Sequence, residues 1–249
     1  MTTRRRLDAE LVRRGLAKSR VEARTLVEAG RVLVGGAVAV KVARLVAAGE
    51  PVVVEGPPAR YVGRGGEKLE HALTTFGIDV DGRRVLDAGA STGGFTDCLL
   101  QHGARHVVAV DVGHGQLHAR LRADDRVTNV ERTNVRHLTT AAIGGPVDIV
   151  VADLSFISLT TVIGALQGVC KPGAPMVLLV KPQFEAGRAE VSRGRGVITD
   201  PTIWDRVRAE ISASLAAVGC EVVAWTTSPI TGAEGNREFL VHARSAGAE

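Results

Sequence analysis

Residues 85–97 read VLDAGASTGGFTD, and the reading of this stretch decides the fold. It begins as a continuous apolar run, breaks on glycine, and returns to a helical pattern after Gly94. Glycines at such a strand-to-helix turn let the backbone pass close to a ligand and deliver that ligand to a helix N-terminus. Their spacing is not G-x-G-x-x-G, which argues against a dinucleotide fingerprint. Asp111 closes the next apolar run, 22 residues after Gly89. A carboxylate in that place can accept both hydrogen bonds of a ribose diol. Turn and acid together point to a nucleoside-bearing ligand more strongly than either does alone.

Outward from this turn, VLDAGA (85–90), HVVAVDV (106–112), VDIVVADL (147–154) and PMVLLVKP (175–182) are unbroken hydrophobic runs, as strands covered on both faces should be. Helical spacing separates them. Leu159, Val162, Ile163, Leu166 and Val169 mark one helix. Ile203, Val207, Ile211 and Leu215 mark another, opened by Asp200-Pro201 and closed by Gly219. This alternation predicts a doubly wound α/β sheet with its chemistry at the C-terminal strand ends. The last two strand patterns, CEVVAWTTSP (220–229) and EFLVHAR (238–244), are joined by eight residues, too few for a crossover helix. They must pair antiparallel, as a hairpin at one edge of an otherwise parallel sheet. Nucleotide-binding dehydrogenases do not end this way, whereas Rossmann-like methyltransferases do.

The first sixty residues follow other rules. Leu7 and Leu11 mark a short amphipathic helix that ends near Gly15, and Ser19-Arg20-Val21-Glu22 is a capping box. The helix it opens runs through Leu26 and Val27 to Gly30. The period then switches to two: Arg31–Val34, a Gly35-Gly36 turn, Ala37–Lys41, and a last strand from Pro51 to Glu55. This is a small α+β unit, assigned to residues 1–59. Pro57-Pro58 and Gly63-Arg64-Gly65-Gly66 predict a linker over 60–66, and the larger domain occupies 67–249.

Of 249 residues, 45% are hydrophobic and 23% charged, the balance of a folded chain. No apolar run is long enough to span a bilayer, and charges stand where a secretory signal would place its apolar core. Cys98, Cys170 and Cys220 are odd in number and far apart, which argues for buried thiols in the cytoplasm and against a disulfide framework or a metal site. The net charge of +4 hides an asymmetry: residues 1–60 hold twelve Lys and Arg against six acids. A basic module on a near-neutral remainder points to a polyanion, with nucleic acid leading. Only five of the basic residues are lysines. Arginine cannot act as a base near neutral pH and lysine can, so each lysine is worth locating.

Residues 6–55 resemble the S-four domain, a small RNA-binding unit, through the Leu-x-x-x-Leu helix, Lys18-Ser19-Arg20, Gly30-Arg31-Val32 and the final strand. The resemblance implies RNA contacts at Arg4, Arg6, Arg13, Arg14, Lys18, Arg20, Arg24 and Arg31. The larger domain resembles the FtsJ-like 2′-O-ribose methyltransferases. DAGASTGGFTD, ADLSFISL and KPQFEAGR are similar specifically to the TlyA family of ribosomal RNA cytidine methyltransferases, also labelled hemolysins. That family likeness implies S-adenosylmethionine (SAM) as cofactor, held by Gly89, Ser91, Gly93, Phe95 and Asp111, with Asp153 beside the donor methyl. Asn134 is a weaker candidate for the adenine side, since the usual acid is absent there.

The same resemblance implies a catalytic tetrad of Lys68, Asp153, Lys181 and Glu238. A sulfonium donor needs a neutral amine to accept the ribose 2′-hydroxyl proton, and cations crowded around it favour release of a proton from one lysine. Lys181 is assigned as general base, Asp153 as its orienter, and Lys68 and Glu238 as residues that position the ribose. The segment 182–200, with Arg188, Arg193 and Arg195, is long enough for a loop that touches RNA phosphates. Five Phe, two Trp and one Tyr are too few for an extended base-stacking platform, so recognition by shape and phosphate is expected. The expected partner is ribosomal RNA, within ribosomal subunits, with no membrane and no metal. Two further readings stay open: a membrane-active hemolysin, and an RNA-binding protein on a non-catalytic methyltransferase fold.

Overall fold

A computed structural model of the chain describes residues 4–17, 19–56, 60–232 and 234–246. Two compact units result, Met1–Arg60 and Tyr61–Glu249.

The first unit runs β1 (Arg4–Arg6), α1 (Leu7–Arg13), α2 (Arg20–Glu28), β2 (Val32–Val34), β3 (Ala37–Val38), β4 (Leu45–Ala47) and β5 (Val52–Val54). Ser19 caps α2, its hydroxyl accepting the Glu22 amide at 3.1 Å. Leu7, Leu11, Leu26, Val27, Val32 and Val34 form the core. The antiparallel sheet β3-β2-β5 follows the expected alternation. Strands β1 and β4 do not. Arg4-Arg5-Arg6 has no apolar alternation, and it is a strand because its backbone pairs antiparallel with Leu45–Ala47. The basic residues are therefore not confined to the helices and their junction.

The second unit contains α3 (Gly65–Phe76), β6 (Arg84–Ala88), α4 (Gly94–Gln101), β7 (His106–Val110), α5 (Ala119–Arg122), β8 (Val127–Val130), β9 (Ile149–Ala152), α6 (Ile163–Gln167), β10 (Pro175–Val180), α7 (Pro182–Glu185), α8 (Arg188–Arg193), α9 (Pro201–Ala217), β11 (Glu221–Thr227) and β12 (Phe239–Arg244). Its seven-stranded sheet has the order β11-β12-β10-β9-β6-β7-β8. Strand β12 pairs antiparallel with both β10 and β11, so the terminal hairpin closes one edge of a parallel sheet. Apolar side chains fill both faces: Leu86, Val108, Val150 and Leu178 on one, Val85, Val107, Val151 and Leu179 on the other. Truncating one such buried leucine to alanine costs ~2–5 kcal/mol. Helix α9 buries Val207, Ile211 and Leu215, and Asp200 caps it by accepting the Thr202 amide at 2.9 Å.

Three expectations change. The helix expected over 159–169 is a 3-10 turn, Leu159–Thr161, followed by the five-residue α6. Its apolar stripe is buried as the spacing implied, but Thr160, Thr161 and Val162 are β-branched and Gly164 and Gly168 favour other backbone states, so the helix breaks at Val162. The linker expected over 60–66 belongs, from Tyr61 on, to the second unit. Tyr61 is buried there, and a Cβ on Gly66 would stand 2.3 Å from its ring, so that glycine serves close packing and not flexibility. The 182–200 segment folds as α7 and α8 and is braced by buried Asn236, which accepts the Ile198 amide and donates to the Gly196 carbonyl.

Candidate active site

The parallel strands end around the glycine turn. A Cβ on Gly89 would lie 2.4 Å from the Asp153 carbonyl oxygen, so only glycine lets β6 and the chain after β9 approach this closely. Ser91 adopts a left-handed backbone (φ 48°), a strained state for a residue other than glycine. Its amide donates to Asp111 Oδ2 at 2.8 Å, while the Gly113 amide donates to Oδ1 at 2.7 Å. Each carboxylate oxygen keeps a second lone pair, which a ribose diol can use. Gly93 caps α4, and Phe95 on its first turn is buried. Asn134 is exposed and caps the turn Val135–His137 by accepting the Arg136 amide. Like Asp111, it is not among the residues that line the cleft at the Gly89 turn.

That cleft has a volume of about 220 Å³ and is lined by Gly63, Arg64, Gly65, Gly89, Ser91, Phe95, Asp153, Ser155 and Lys181, among others. Lys181 follows β10. Its Nζ stands 2.5 Å from Asp153 Oδ1, and it donates to Ser155 Oγ at 3.0 Å. Lys68 and Glu238 form a second pair, with Nζ donating to Oε2 at 2.5 Å. They are 8% and 2% exposed and do not line the cleft. The four expected catalytic residues thus form two ion pairs, Lys181–Asp153 in the lining of the cleft and Lys68–Glu238 outside that lining, with the two lysines equally buried. Helix α3 touches both: a Cβ on Gly65 would stand 3.7 Å from Asp153 Oδ2, and Lys68 lies one turn further on.

Several site residues escaped the sequence reading. Asp87, inside the deciding stretch, is fully buried and accepts from the Thr96 hydroxyl at 2.6 Å. Burial pushes its carboxyl up to about 7, and the nearby charges of Asp153 and Asp111 push the same way. An acid interrupting an apolar strand was its only signal. Ser155 and Arg64 also line the cleft, and Arg64 donates to the Thr231 carbonyl at 2.6 Å. Phe156 is 91% exposed with φ at 63°, packed against Phe184 at 5.2 Å between ring centroids. No sequence pattern distinguishes an exposed phenylalanine from a buried one.

In the first unit the basic residues are arranged around two buried acids. Asp8 accepts from Arg6 and from Arg20, the closest contact being 2.8 Å, and Glu10 accepts from Arg13 at 2.6 Å and Arg14 at 2.8 Å. Arg13 and Arg14 hold the Glu10 carboxyl down to about 2, and Arg6, with Arg20 adding to it, holds Asp8 well below the usual carboxylate range. Arg14 also donates to the carbonyls of Ala47, Ala48 and Glu50, and Arg31 to that of Glu55, so these two guanidiniums brace the fold. Arg4, Arg6, Arg13, Arg20 and Arg24 face solvent wholly or in part. Lys18 lies outside the described residues.

Comparison with known proteins joins these two halves. Residues 61–245 match the profile of the FtsJ-like methyltransferases and residues 5–52 that of the S4 domain, which defines a methyltransferase carrying an RNA-binding module. Over 246 residues the chain is 51% identical to the 16S/23S rRNA (cytidine-2′-O)-methyltransferase TlyA of Mycobacterium tuberculosis, covering 98% of this chain and 91% of that protein. It is 40% identical to Hemolysin A of Brachyspira hyodysenteriae, covering 95% and 98% respectively. A solved structure of a hemolysin-labelled protein from Streptococcus thermophilus superposes with a TM-score of 0.78 at 38% identity, over 99% of this chain and 90% of that one. The chain belongs to the TlyA family.

SAM is the cofactor of this class, and the residues present fit it. Asp153 lines the cleft beside the glycine turn, where a carboxylate suits a positively charged sulfonium or ammonium. Asp111 keeps acceptor capacity for a ribose, and the Gly89 turn leaves the backbone bare beside the cleft.

Proposed function

We propose that this methyltransferase acts on the 2′-hydroxyl of cytidine in ribosomal RNA, with Lys181 as the proton acceptor. The observation that carries the reading is the Lys181–Asp153 pair, open to the cleft that begins at the Gly89 turn. The name of the M. tuberculosis relative supports the substrate. Bound SAM supplies an electrophilic methyl group on a positively charged sulfur. The protein's part is to hold the ribose hydroxyl in line and remove its proton. In its neutral form the Lys181 amine takes that proton, and the ammonium that results forms beside Asp153, whose charge stabilises it as it develops. Ser155 offers the amine a second, neutral partner and so fixes its direction. The buried Lys68–Glu238 ion pair ties α3 to the start of β12. The exposed face of Phe156 is available to stack on a nucleobase. Exposed arginines of the first unit supply phosphate contacts.

The test is direct. Purified protein, methyl-labelled SAM and each ribosomal substrate (small subunit, large subunit, naked RNA) are incubated, and the RNA is digested to nucleosides. Label in 2′-O-methylcytidine supports the reading; label on a base, or none in any substrate, overturns it.

A further inference from the structure

We propose that Glu185 is a positioning residue for methyl transfer: it clamps the loop after β9 to the segment after β10 and thereby fixes the direction in which Lys181 presents its amine. The inference rests on the reading of Lys181 as proton acceptor and deepens it.

Two motifs face each other here, ADLSFISL (152–159) and KPQFE (181–185), and three contacts join them. At the cleft end Lys181 meets Asp153 and Ser155. In the middle Phe184 packs on Phe156, with Lys181 Nζ 5.8 Å from the Phe184 centroid. At the far end Glu185 Oε1 accepts the Leu159 amide at 2.9 Å, and Oε2 accepts the Ser158 hydroxyl at 2.5 Å. The same hydroxyl accepts the Thr160 amide at 3.2 Å, capping the 3-10 turn.

The partners of Glu185 in the clamp are neutral, an amide and an alcohol, where Asp8, Glu10 and Glu238 meet cations. Burial pushes its carboxyl up, so the two donors are what keep a carboxylate tolerable there. The tether to Lys181 is short: α7 is four residues long and starts on Pro182, whose ring fixes its backbone angle. At the other end the clamp holds Ser158 and Leu159, two and three residues beyond Phe156. A phenylalanine persists at positive φ only when its surroundings over-determine it. Released from Glu185, the loop can relax that strain and carry Ser155 and Asp153 away from the lysine. A displacement near 1 Å can cost ~10²-fold in rate.

The experiment compares Glu185→Ala, Glu185→Gln and Ser158→Ala in the full chain. It reads single-turnover methyl transfer at saturating SAM and RNA, equilibrium binding of each, and hydrogen exchange of residues 154–161. Glu185→Ala should slow transfer by ~10–10²-fold, leave both affinities within about twofold, and lose protection in the loop. Glu185→Gln should keep most of the rate, because the amide can still accept from Leu159 and donate to Ser158. A Glu185→Ala enzyme with the normal rate, or one whose rate falls only as SAM or RNA affinity falls, overturns the proposal. If that variant does not fold, Ser158→Ala decides: slower transfer at unchanged affinity supports the clamp, and an unchanged rate overturns it. If the wild type transfers no methyl to any RNA, the functional reading fails by itself. Hydrogen exchange then judges the clamp alone, with unchanged protection in Glu185→Ala contradicting it.

Discussion

Around α1 the acids lie inside and the bases outside, whereas at the end of the sheet both partners lie inside. Asp8 and Glu10 are 4% and 1% exposed, yet the Arg13 and Arg20 side chains that meet them remain 47% and 61% exposed. The Lys181 and Lys68 side chains are each only 10% exposed, against 21% for Asp153 and 2% for Glu238. The difference follows from the two cations. A guanidinium has five donors and never loses its charge, so a buried acid can anchor one edge and leave the other for phosphate. An ammonium is a compact charge on a flexible stem that can give up its proton when placed in a dry site. On the proposed reading of Lys181 as proton acceptor, the first region displays fixed charge and the second exchanges a proton. That reading gives the choice of lysine at this position, in a chain that otherwise prefers arginine, a chemical reason.

The contrast breaks first at Lys181. Lys181→Arg keeps the charge, yet single-turnover transfer should fall by ~10²–10⁴, since a guanidinium cannot accept the proton. SAM and RNA affinity, measured on the same protein, should survive. The Lys68–Glu238 pair should respond in stability: Glu238→Ala leaves a buried ammonium without its partner and should cost ~3–5 kcal/mol in a denaturant titration. At the cofactor end, Asp111→Ala should weaken SAM binding by ~1–3 kcal/mol in calorimetry, the scale of charge-assisted hydrogen bonds, without unfolding the sheet.

The smallest effect belongs to the first region. Glu10 has a carboxyl lowered from 4.5 to about 2, so its contribution is complete above pH 4.5 and is lost as pH falls toward 2. Protection of the α1 amides, measured relative to their intrinsic exchange at each pH, should therefore fall across that interval. Glu10→Gln should remove part of the acid step and weaken RNA binding modestly, through looser Arg13 and Arg14, with SAM affinity unchanged.

The sheet was legible because its strands are uniformly apolar and its last connection is too short for a helix. Asp111 stood out because it closes an apolar run, where this architecture places chemistry, whereas Asp153 and Lys181 were assigned through the likeness to the FtsJ-like methyltransferases. What the sequence concealed depended on tertiary contact. Arg4-Arg5-Arg6 is a strand only through its partner β4. Gly63–Gly66 has the composition of a linker, and only the rings of Tyr61 and Phe95 show why glycine is needed there. The arginine cluster was visible as charge, but not its division between Arg14 and Arg31, which brace carbonyls, and the others, which face solvent. The cap that Asn134 makes on the turn Val135–His137 also shows only in the structure. Glu185 lies within the KPQFEAGR motif, but its role was hidden, since its partners are an amide and a hydroxyl more than twenty residues away.

One measurement addresses the proton directly. Lys181→Ala leaves a space where the amine stood, and small primary amines of graded basicity can be added to it with methyl-labelled SAM and ribosomal RNA. Formation of 2′-O-methylcytidine should return with the amines and follow their basicity, while guanidinium at the same concentration restores nothing. Equal rescue by guanidinium would show that the site needs only a positive charge and would remove Lys181 from the role of base.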